Sequence, residues 1–84
     1  MVSSEDEQTF GEWLRRRRRS LDLTEEQLGD LTGLAPDTVR AYESGRRRPS
    51  REAVAAMAKY LMISDEELPD ITRLARIGTG YHNG

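Results

Sequence analysis

Segment 24–45 constrains the fold most strongly, because its residues mark where two short helices begin and end. Thr24 with Gln27 three residues later forms a capping box, which is typical of a helix start. Gly33 stands where a helix ends in a left-handed residue, Pro36 suits the first position of a second helix, and Gly45 suits its end. Two short helices joined by a turn of about three residues are typical of a helix-turn-helix.

The small and apolar residues of this segment fit two helices that cross steeply at close range. Gly29 lies within the first helix, where a close crossing requires a side chain of minimal size. Leu28 and Leu31 are expected on the inner face of that helix. The angle between the helices is expected to hold apolar side chains, namely Leu28, Leu34, Val39 and Tyr42. The outer face of the second helix is then left free, with Asp37, Arg40, Ala41 and Ser44 on it.

Capping residues and apolar periodicity predict one helix before this pair and one after it. Thr9 with Glu12 is a second capping box, followed by an apolar stripe, and predicts a helix over 10–20. Ser50 is the predicted cap of a helix that continues to Leu61. Neither segment shows the strict alternation that is typical of a strand.

The next stretch contains a third capping box and a proline. Ser64 with Glu67 predicts a short helix over 64–68. Pro69 then predicts a break or a kink, because proline within a helix removes a backbone hydrogen bond. A second helical piece is expected over 70–77.

The predicted architecture is all-α, a compact bundle of five short helices. It occupies residues 9–77, and the segments 1–8 and 78–84 are expected to be loose tails. Two interpretations stay open for the apolar face of 68–77: a self-association surface, or packing on the first and fourth helices. The residues of this face are Leu68, Ile71 and Leu74.

Composition excludes several classes of function. The 84-residue chain has no cysteine and a single histidine, His82, so disulfides, thiolate metal sites and thiol catalysis are excluded. No metal, cofactor or small-molecule ligand is expected, and no Ser/His/Asp set or phosphate loop indicates an enzyme. No apolar run reaches the roughly 20 residues of a membrane span, and residues 1–8 lack the apolar part of a secretory signal. The expected location is therefore the cytoplasm.

The distribution of charge is more informative than the net charge of −2. All but three of the 13 basic residues fall in two segments. One is the unbroken run 15–19, and the other surrounds the end of the predicted third helix, with Arg40, Arg46, Arg47, Arg48 and Arg51. Basic segments of this kind are typical of surfaces that contact nucleic acid.

The arginine run cannot form a single binding face, because five consecutive helical positions span about 500°. Arg18 lies four residues after Leu14 on the apolar side of the first helix. Glu43 lies four residues after Val39 on the apolar side of the third. Two inward charges of opposite sign predict a structural ion pair between Arg18 and Glu43. For the other four arginines two interpretations stay open: a solvated helix face, or one or two contacts with phosphate.

Short motifs follow one another in a fixed order over residues 10–68. They are Leu23-Thr24, Gln27-Leu28-Gly29, Gly33-Leu34, Thr38-Val39, Tyr42-Glu43-Ser44-Gly45 and Arg46-Arg47-Arg48-Pro49-Ser50. In this order they resemble the Cro/repressor-type helix-turn-helix family, the lambda-repressor-like or XRE group. The resemblance implies a lambda-repressor-like fold, sequence-specific binding of duplex DNA and a role as a transcriptional regulator. It also implies the pairing of Arg18 with Glu43.

The resemblance implies that the third helix (36–44) enters the major groove and that the basic loop 46–48 contacts phosphates. The base-reading positions are then Pro36, Asp37, Thr38 and Ala41, with Arg40 at the margin. The implied phosphate contacts are Thr24, Ser44, Arg46, Arg47 and Arg48, together with the backbone amides that follow Ser50. Such modules usually bind as dimers at half-sites about 34 Å apart, so the expected partners are double-stranded DNA and a second copy of the chain.

Several positions depart from the family pattern. Glu25 stands where the family commonly has a glutamine that bonds a phosphate, and a carboxylate repels one. Pro36 and Ala41 offer no hydrogen bond to a base, and Asp37 can only accept one, which suits the amino group of cytosine. Sequence preference is therefore expected to be modest or to depend on Arg40. These departures keep an alternative open, a helix-turn-helix module for protein–protein interaction in an antitoxin-like or adaptor role.

Overall fold

The computed structural model describes residues 9–77, and this part of the chain consists of α-helices joined by short turns. The prediction of an all-α bundle of five short helices is confirmed, and the described residues contain no strand. The predicted tails, 1–8 and 78–84, lie outside the described residues. The helices are α1 (Phe10–Ser20), α2 (Glu25–Thr32), α3 (Pro36–Ser44), α4 (Arg51–Tyr60) and α5 (Leu68–Ile77).

Helices α1 and α2 begin at the two predicted capping boxes. Glu12 N donates to Thr9 Oγ1 over 3.1 Å, and Thr9 N donates to the Glu12 carboxylate over 3.2 Å. Gln27 and Thr24 repeat this arrangement in α2, at 3.0 Å and 2.8 Å. Each box provides acceptors for two backbone N–H groups that the helix itself cannot satisfy. Local sequence therefore determines where both helices start.

Glycines end α2 and α3 as predicted. Gly33 has a φ of +82° and Gly45 a φ of +85°, in the left-handed region that side-chain-bearing residues rarely adopt. Gly33 N donates to Gly29 O over 2.8 Å, which closes the last turn of α2. The chain can therefore reverse direction within a few residues and begin α3 at Pro36.

The C-terminal helix differs from its prediction. Helix α5 is continuous from Leu68, and Pro69 lies in its first turn, where a missing N–H leaves no helical hydrogen bond unmade. Ser64 Oγ accepts from Glu67 N over 3.1 Å, but the residues between them form a turn. The prediction of a helix over 64–68 with a break at the proline is therefore wrong, because the helix begins at Leu68 and the proline lies in its first turn.

The core is built around α3 and α4. Helix α3 packs against α1 and α2, and α4 packs against α2 and α5. Leu31 is an exception to the expected inner face of α2, since 44% of its surface is exposed. The largest side chains that are completely buried are Leu14, Leu28, Val39, Val54, Met57 and Leu61.

The apolar face of α5 belongs to the same core. Ile71 and Ala75 are buried, and Leu68 and Leu74 pack against the core from its edge. Of the two interpretations of this face, packing within one chain is the one that the structure shows. Leu68 and Leu74 remain partly exposed at the edge of this packing.

Two glycines allow backbone segments to approach closely around α3. A Cβ atom at Gly29 would meet the carbonyl oxygen of Leu34, in agreement with the minimal side chain predicted there. A Cβ atom at Gly11 would lie 2.6 Å from the carbonyl oxygen of Tyr42 and closer still to that of Glu43. The contact at Gly11 was not predicted. Helix α1 therefore meets the end of α3 backbone to backbone.

Candidate nucleic-acid interface

A buried ion pair joins α3 to α1. Arg18 Nε donates to Glu43 Oε2 over 2.6 Å and Arg18 Nη2 donates to Glu43 Oε1 over 3.0 Å, a bidentate arrangement that fixes both side chains. Arg18 Nη1 also donates to Leu23 O over 2.8 Å, just before α2. The Glu43 side chain is 0% exposed, so water does not compete for its oxygens. The structure thus brings the two predicted inward charges into contact.

This contact keeps the Arg18 guanidinium charged. The hydrogen bond to Glu43 raises the pKa of Arg18 above its usual value; burial lowers it, and the charges of Glu43 and Glu25 raise it further. A raised pKa stabilises the folded state at all pH values below the ordinary arginine pKa, and this contribution is lost only as pH rises through the raised value. The contribution of Arg18 is therefore constant at neutral and mildly alkaline pH.

The outer surface of α3 and the loop after it share a shallow depression, lined by Asp37, Thr38, Ala41, Arg46 and Arg47. Asp37 extends into solvent, with 90% of its side chain exposed, whereas Ala41 is only 6% exposed. The prediction of a free outer face is therefore wrong at Ala41. The loop returns to this turn of the helix, where Arg46 N donates to Ala41 O over 3.0 Å.

Two carboxylates hold the side chain of Arg40. Arg40 Nε donates to Glu25 Oε1 over 3.2 Å, and Arg40 Nη1 donates to Asp37 Oδ1 over 2.9 Å. Glu25 is in the first turn of α2, so the contact joins the start of α2 to the middle of α3. The Arg40 side chain is still 54% exposed. Sequence reasoning missed Glu25 as a partner, because the two residues come from different helices.

The three arginines of the loop 46–48 have different partners. Arg46 Nε donates to Ser44 Oγ over 3.1 Å, and Arg47 lines the depression beside it. Arg48 Nη1 instead donates over 2.6 Å to Arg76 O, in the last turn of α5. Arg46 and Arg47 therefore lie beside α3, whereas Arg48 is hydrogen-bonded to α5.

The remaining predicted contact residues lie at helix ends. Thr24 Oγ1 and Ser50 Oγ each accept a backbone N–H of the helix that they begin, over 3.0 Å. Both residues are exposed, and each hydroxyl keeps a hydrogen that it can donate. Pro36 is the first residue of α3 and is partly exposed. Ser44 is exposed at the end of the same helix, where its hydroxyl donates to Ala41 O over 3.2 Å.

The arginine run of α1 divides between structural and solvent-exposed members. The Arg17 guanidinium lies 5.4 Å from the centroid of the Trp13 ring, within cation–π range. Arg17 also donates to Leu61 O over 2.9 Å and pairs with Glu67 over 2.7 Å. It therefore connects α1 with the end of α4 and the start of α5, a role that sequence reasoning missed. The exposed members of the run are Arg15, Arg16 and Arg19, and of these Arg15 also pairs with Glu43 over 3.5 Å.

The described residues offer no metal site. Within residues 9–77, no three acidic or histidine side chains gather as metal ligands would. His82 lies outside the described residues. In the same part of the chain, no helix combines the length and the apolarity that crossing a membrane requires.

Helix α2, the turn at Gly33 and α3 together define a helix-turn-helix domain. Residues 9–77 match the helix-turn-helix domain family, and the chain belongs to that family. The chain is 40% identical over 53 residues to the HTH-type transcriptional regulator AnsR of Bacillus subtilis (strain 168). This match covers 63% of the chain and 44% of that relative, so the chain spans less than half of the relative's length. No solved structure matches the chain. The helix-turn-helix resemblance inferred from the motifs is confirmed.

Proposed function

We propose that this chain is the DNA-binding domain of a transcriptional regulator and binds duplex DNA sequence-specifically, with α3 in the major groove. The observation that carries the proposal is the depression shared by α3 and the basic loop, where side chains suited to bases and to phosphates lie side by side. The Arg18–Glu43 pair fixes the buried face of α3 to α1, so the exposed face of α3 has one orientation. Family membership and the similarity to a transcriptional regulator support the same function.

Phosphate contacts are proposed first for Arg46 and Arg47, which are exposed beside α3 and free of ion pairs within the described residues. Arg48 donates one of its five N–H groups to Arg76 O, which holds its guanidinium toward α5, so its contribution to affinity is expected to be smaller. Backbone N–H groups and the helix dipole favour anions at the starts of α2 and α4. The remaining proposed phosphate contacts are Thr24, Ser44 and the amides that follow Ser50.

Base contacts are proposed for the outer face of α3. Asp37 and Arg40 carry exposed polar atoms there, and Thr38 lines the same depression. Pro36, which is partly exposed, contributes apolar contact of the kind that a thymine methyl group accepts. Apolar contacts discriminate only weakly between bases. The hydrogen-bonding side chains of Asp37, Thr38 and Arg40 are therefore expected to determine the preferred DNA sequence.

The proposed form on DNA is a homodimer with half-sites about 34 Å apart. Ile71 and Ala75 are buried within one chain, so the dimer contact is expected on a surface other than the apolar face of α5. The same proposal places the protein in the cytoplasm, because a DNA-binding regulator needs access to DNA. It also includes no enzymatic activity, because binding to DNA requires no catalytic group.

A second candidate function is protein–protein interaction, in an antitoxin-like or adaptor role. One observation favours it: Glu25 and Asp37 place negative charge on the side of the helix pair that would face DNA. Under this function the outer face of α3 binds a partner protein, and the chain has no affinity for duplex DNA even at low salt.

Fluorescence anisotropy with a random duplex, repeated over a range of salt concentrations, tests the proposal. DNA binding predicts that log affinity falls against log salt with a slope of about −0.9 for each phosphate contact. We expect Arg46→Ala and Arg47→Ala each to flatten this slope by about one contact, and Arg48→Ala to flatten it less. Arg73→Ala is the matched control, because Arg73 is exposed on α5 and pairs with Asp70. Absence of binding at low salt contradicts the proposal and favours a protein partner.

A further inference from the structure

Arg40 has a different environment from the other exposed arginines beside α3. Its Nε and Nη1 atoms donate to two carboxylates, those of Glu25 and Asp37, over 3.2 Å and 2.9 Å. Within the described residues no ion pair holds Arg46 or Arg47. The Arg40 guanidinium is therefore held by two carboxylates before any partner arrives, whereas in the same part of the chain the Arg46 side chain bonds only the Ser44 hydroxyl and that of Arg48 only the carbonyl oxygen of Arg76.

The two carboxylates leave part of the Arg40 guanidinium available for a base. A guanidinium carries five N–H donors in one plane. Glu25 takes the hydrogen on Nε and Asp37 takes one on Nη1, so one hydrogen on Nη1 and both on Nη2 remain. A pair of guanidinium donors matches O6 and N7 of guanine, the commonest specific contact in the major groove. The restrained side chain thus retains the donors that guanine requires.

The same carboxylates disfavour DNA sequences that do not engage Arg40. One guanidinium and two carboxylates give these three side chains a net negative charge, which offsets part of the attraction that Arg46 and Arg47 exert on the phosphates of any duplex. A sequence that lacks the matching base meets this negative charge without a compensating hydrogen bond. Repulsion of wrong partners is a common source of specificity.

We propose that Arg40 reads a guanine in the major groove and that Glu25 and Asp37 are positioning residues that orient it and penalise other bases. This inference rests on the proposed DNA-binding function and assigns its main base preference. The preference then comes from the middle of α3, and not from Pro36 or Thr38 near its start. The ligand is a duplex with one guanine at a fixed position in each half-site.

Selection of bound duplexes from a random pool tests the base assignment. We expect the wild-type chain to select a motif with guanine at one fixed position. Arg40→Gln is expected to lose that guanine, or to exchange it for adenine, while the other positions persist. Arg73→Gln is the control and should select the wild-type motif. A wild-type motif without a fixed guanine, or an unchanged motif for Arg40→Gln, overturns this inference but leaves the proposed function standing. Recovery of no duplex at low salt overturns both.

Replacement of the selected guanine by 7-deazaguanine tests the contact itself, because this base lacks the N7 acceptor. A good bidentate contact discriminates between bases by about 5- to 150-fold. We expect the wild-type chain to lose affinity within that range and Arg40→Gln to lose almost none. Equal losses for both proteins overturn the Arg40–guanine contact.

Two isosteric variants test the positioning role. Glu25→Gln and Asp37→Asn remove one charge each, and we expect about 2- to 5-fold tighter binding to random duplex with a weaker preference for guanine. Glu26→Gln is the matched control, because it removes a charge from the same turn of α2 without touching Arg40. A merely structural role would change thermal stability but leave base preference unaltered. An unaltered guanine preference in both variants overturns the positioning role.

Discussion

The two faces of α3 each carry an arginine–carboxylate cluster, and the clusters differ in burial. On the inner face Arg18 forms two hydrogen bonds to Glu43, whose side chain is 0% exposed. On the outer face Arg40 is shared between Glu25 and Asp37, and its side chain is 54% exposed. The same chemical groups therefore serve different purposes: burial makes the inner cluster part of the scaffold, and exposure leaves the outer one accessible to a partner.

Burial determines what each cluster contributes to folding. Removal of one partner from a buried pair leaves an uncompensated charge in a medium of low polarity, which is strongly destabilising. An exposed pair is screened by water and salt and contributes about 0–1 kcal/mol. The inner and outer clusters are therefore expected to differ several-fold in their effect on the free energy of unfolding.

The largest effect is expected for the inner cluster. Glu43→Ala should lower the free energy of unfolding by about 3–5 kcal/mol, because Arg18 stays buried without a counter-charge. Urea denaturation measures this loss. Glu25→Ala is the matched control on the outer face and should cost no more than about 1 kcal/mol. A loss below about 1 kcal/mol for Glu43→Ala would show that the buried pair does not hold the scaffold.

The next largest effect is expected where α1 approaches the end of α3. Gly11→Ala should destabilise the chain by about 1–3 kcal/mol, because the new methyl group meets backbone oxygens that cannot move independently. Thermal or urea denaturation measures the change, with Arg16→Ala as an exposed control in the same helix, expected within about 0.5 kcal/mol. Alanine is the better helix former, so a gain in stability would mean that the two backbones separate at no cost.

The smallest effect is expected for the outer cluster. A double-mutant cycle with Arg40→Ala and Glu25→Ala should give a coupling energy of about 0.2–1 kcal/mol at low salt. At 1 M salt this coupling should approach zero, because charges are then screened within about 3 Å, whereas the Arg18–Glu43 coupling should persist. A large or salt-independent coupling on the outer face would assign Arg40 to the scaffold, not to a binding surface.

The elements that the sequence predicts well depend on residues close together in the chain. Thr24 and Gln27 are three residues apart, and Gly33 needs only its own backbone conformation to end α2. Pro69 shows the limit of such local patterns. Proline breaks a helix that begins at Ser64, as the local sequence predicted, but it suits a helix that begins at Leu68, as the structure has it. Apolar periodicity placed Ile71 on one face but left open whether its own chain or another covers it.

Contacts of the candidate site were predictable only where burial restricts the choice of partner. Inward charges need an opposite charge, so Arg18 and Glu43 could be matched from their positions on two helix faces. Exposed residues carry no such restriction. The bonds from Arg40 to Glu25 and from Arg48 to Arg76 O therefore depend on how separate helices are placed in space. The sequence pattern of one helix does not show where a second helix lies relative to it.

The backbone contacts at Gly11 and Gly29 have a consequence for how this domain can change its target. They set the distance of α3 from α1 and α2 without any atom of the outward-facing side chains. The exposed positions of α3 can therefore be exchanged while the helix keeps the same pose. Retargeting of the domain, by evolution or by design, is thus reduced to a choice of surface side chains on a fixed frame.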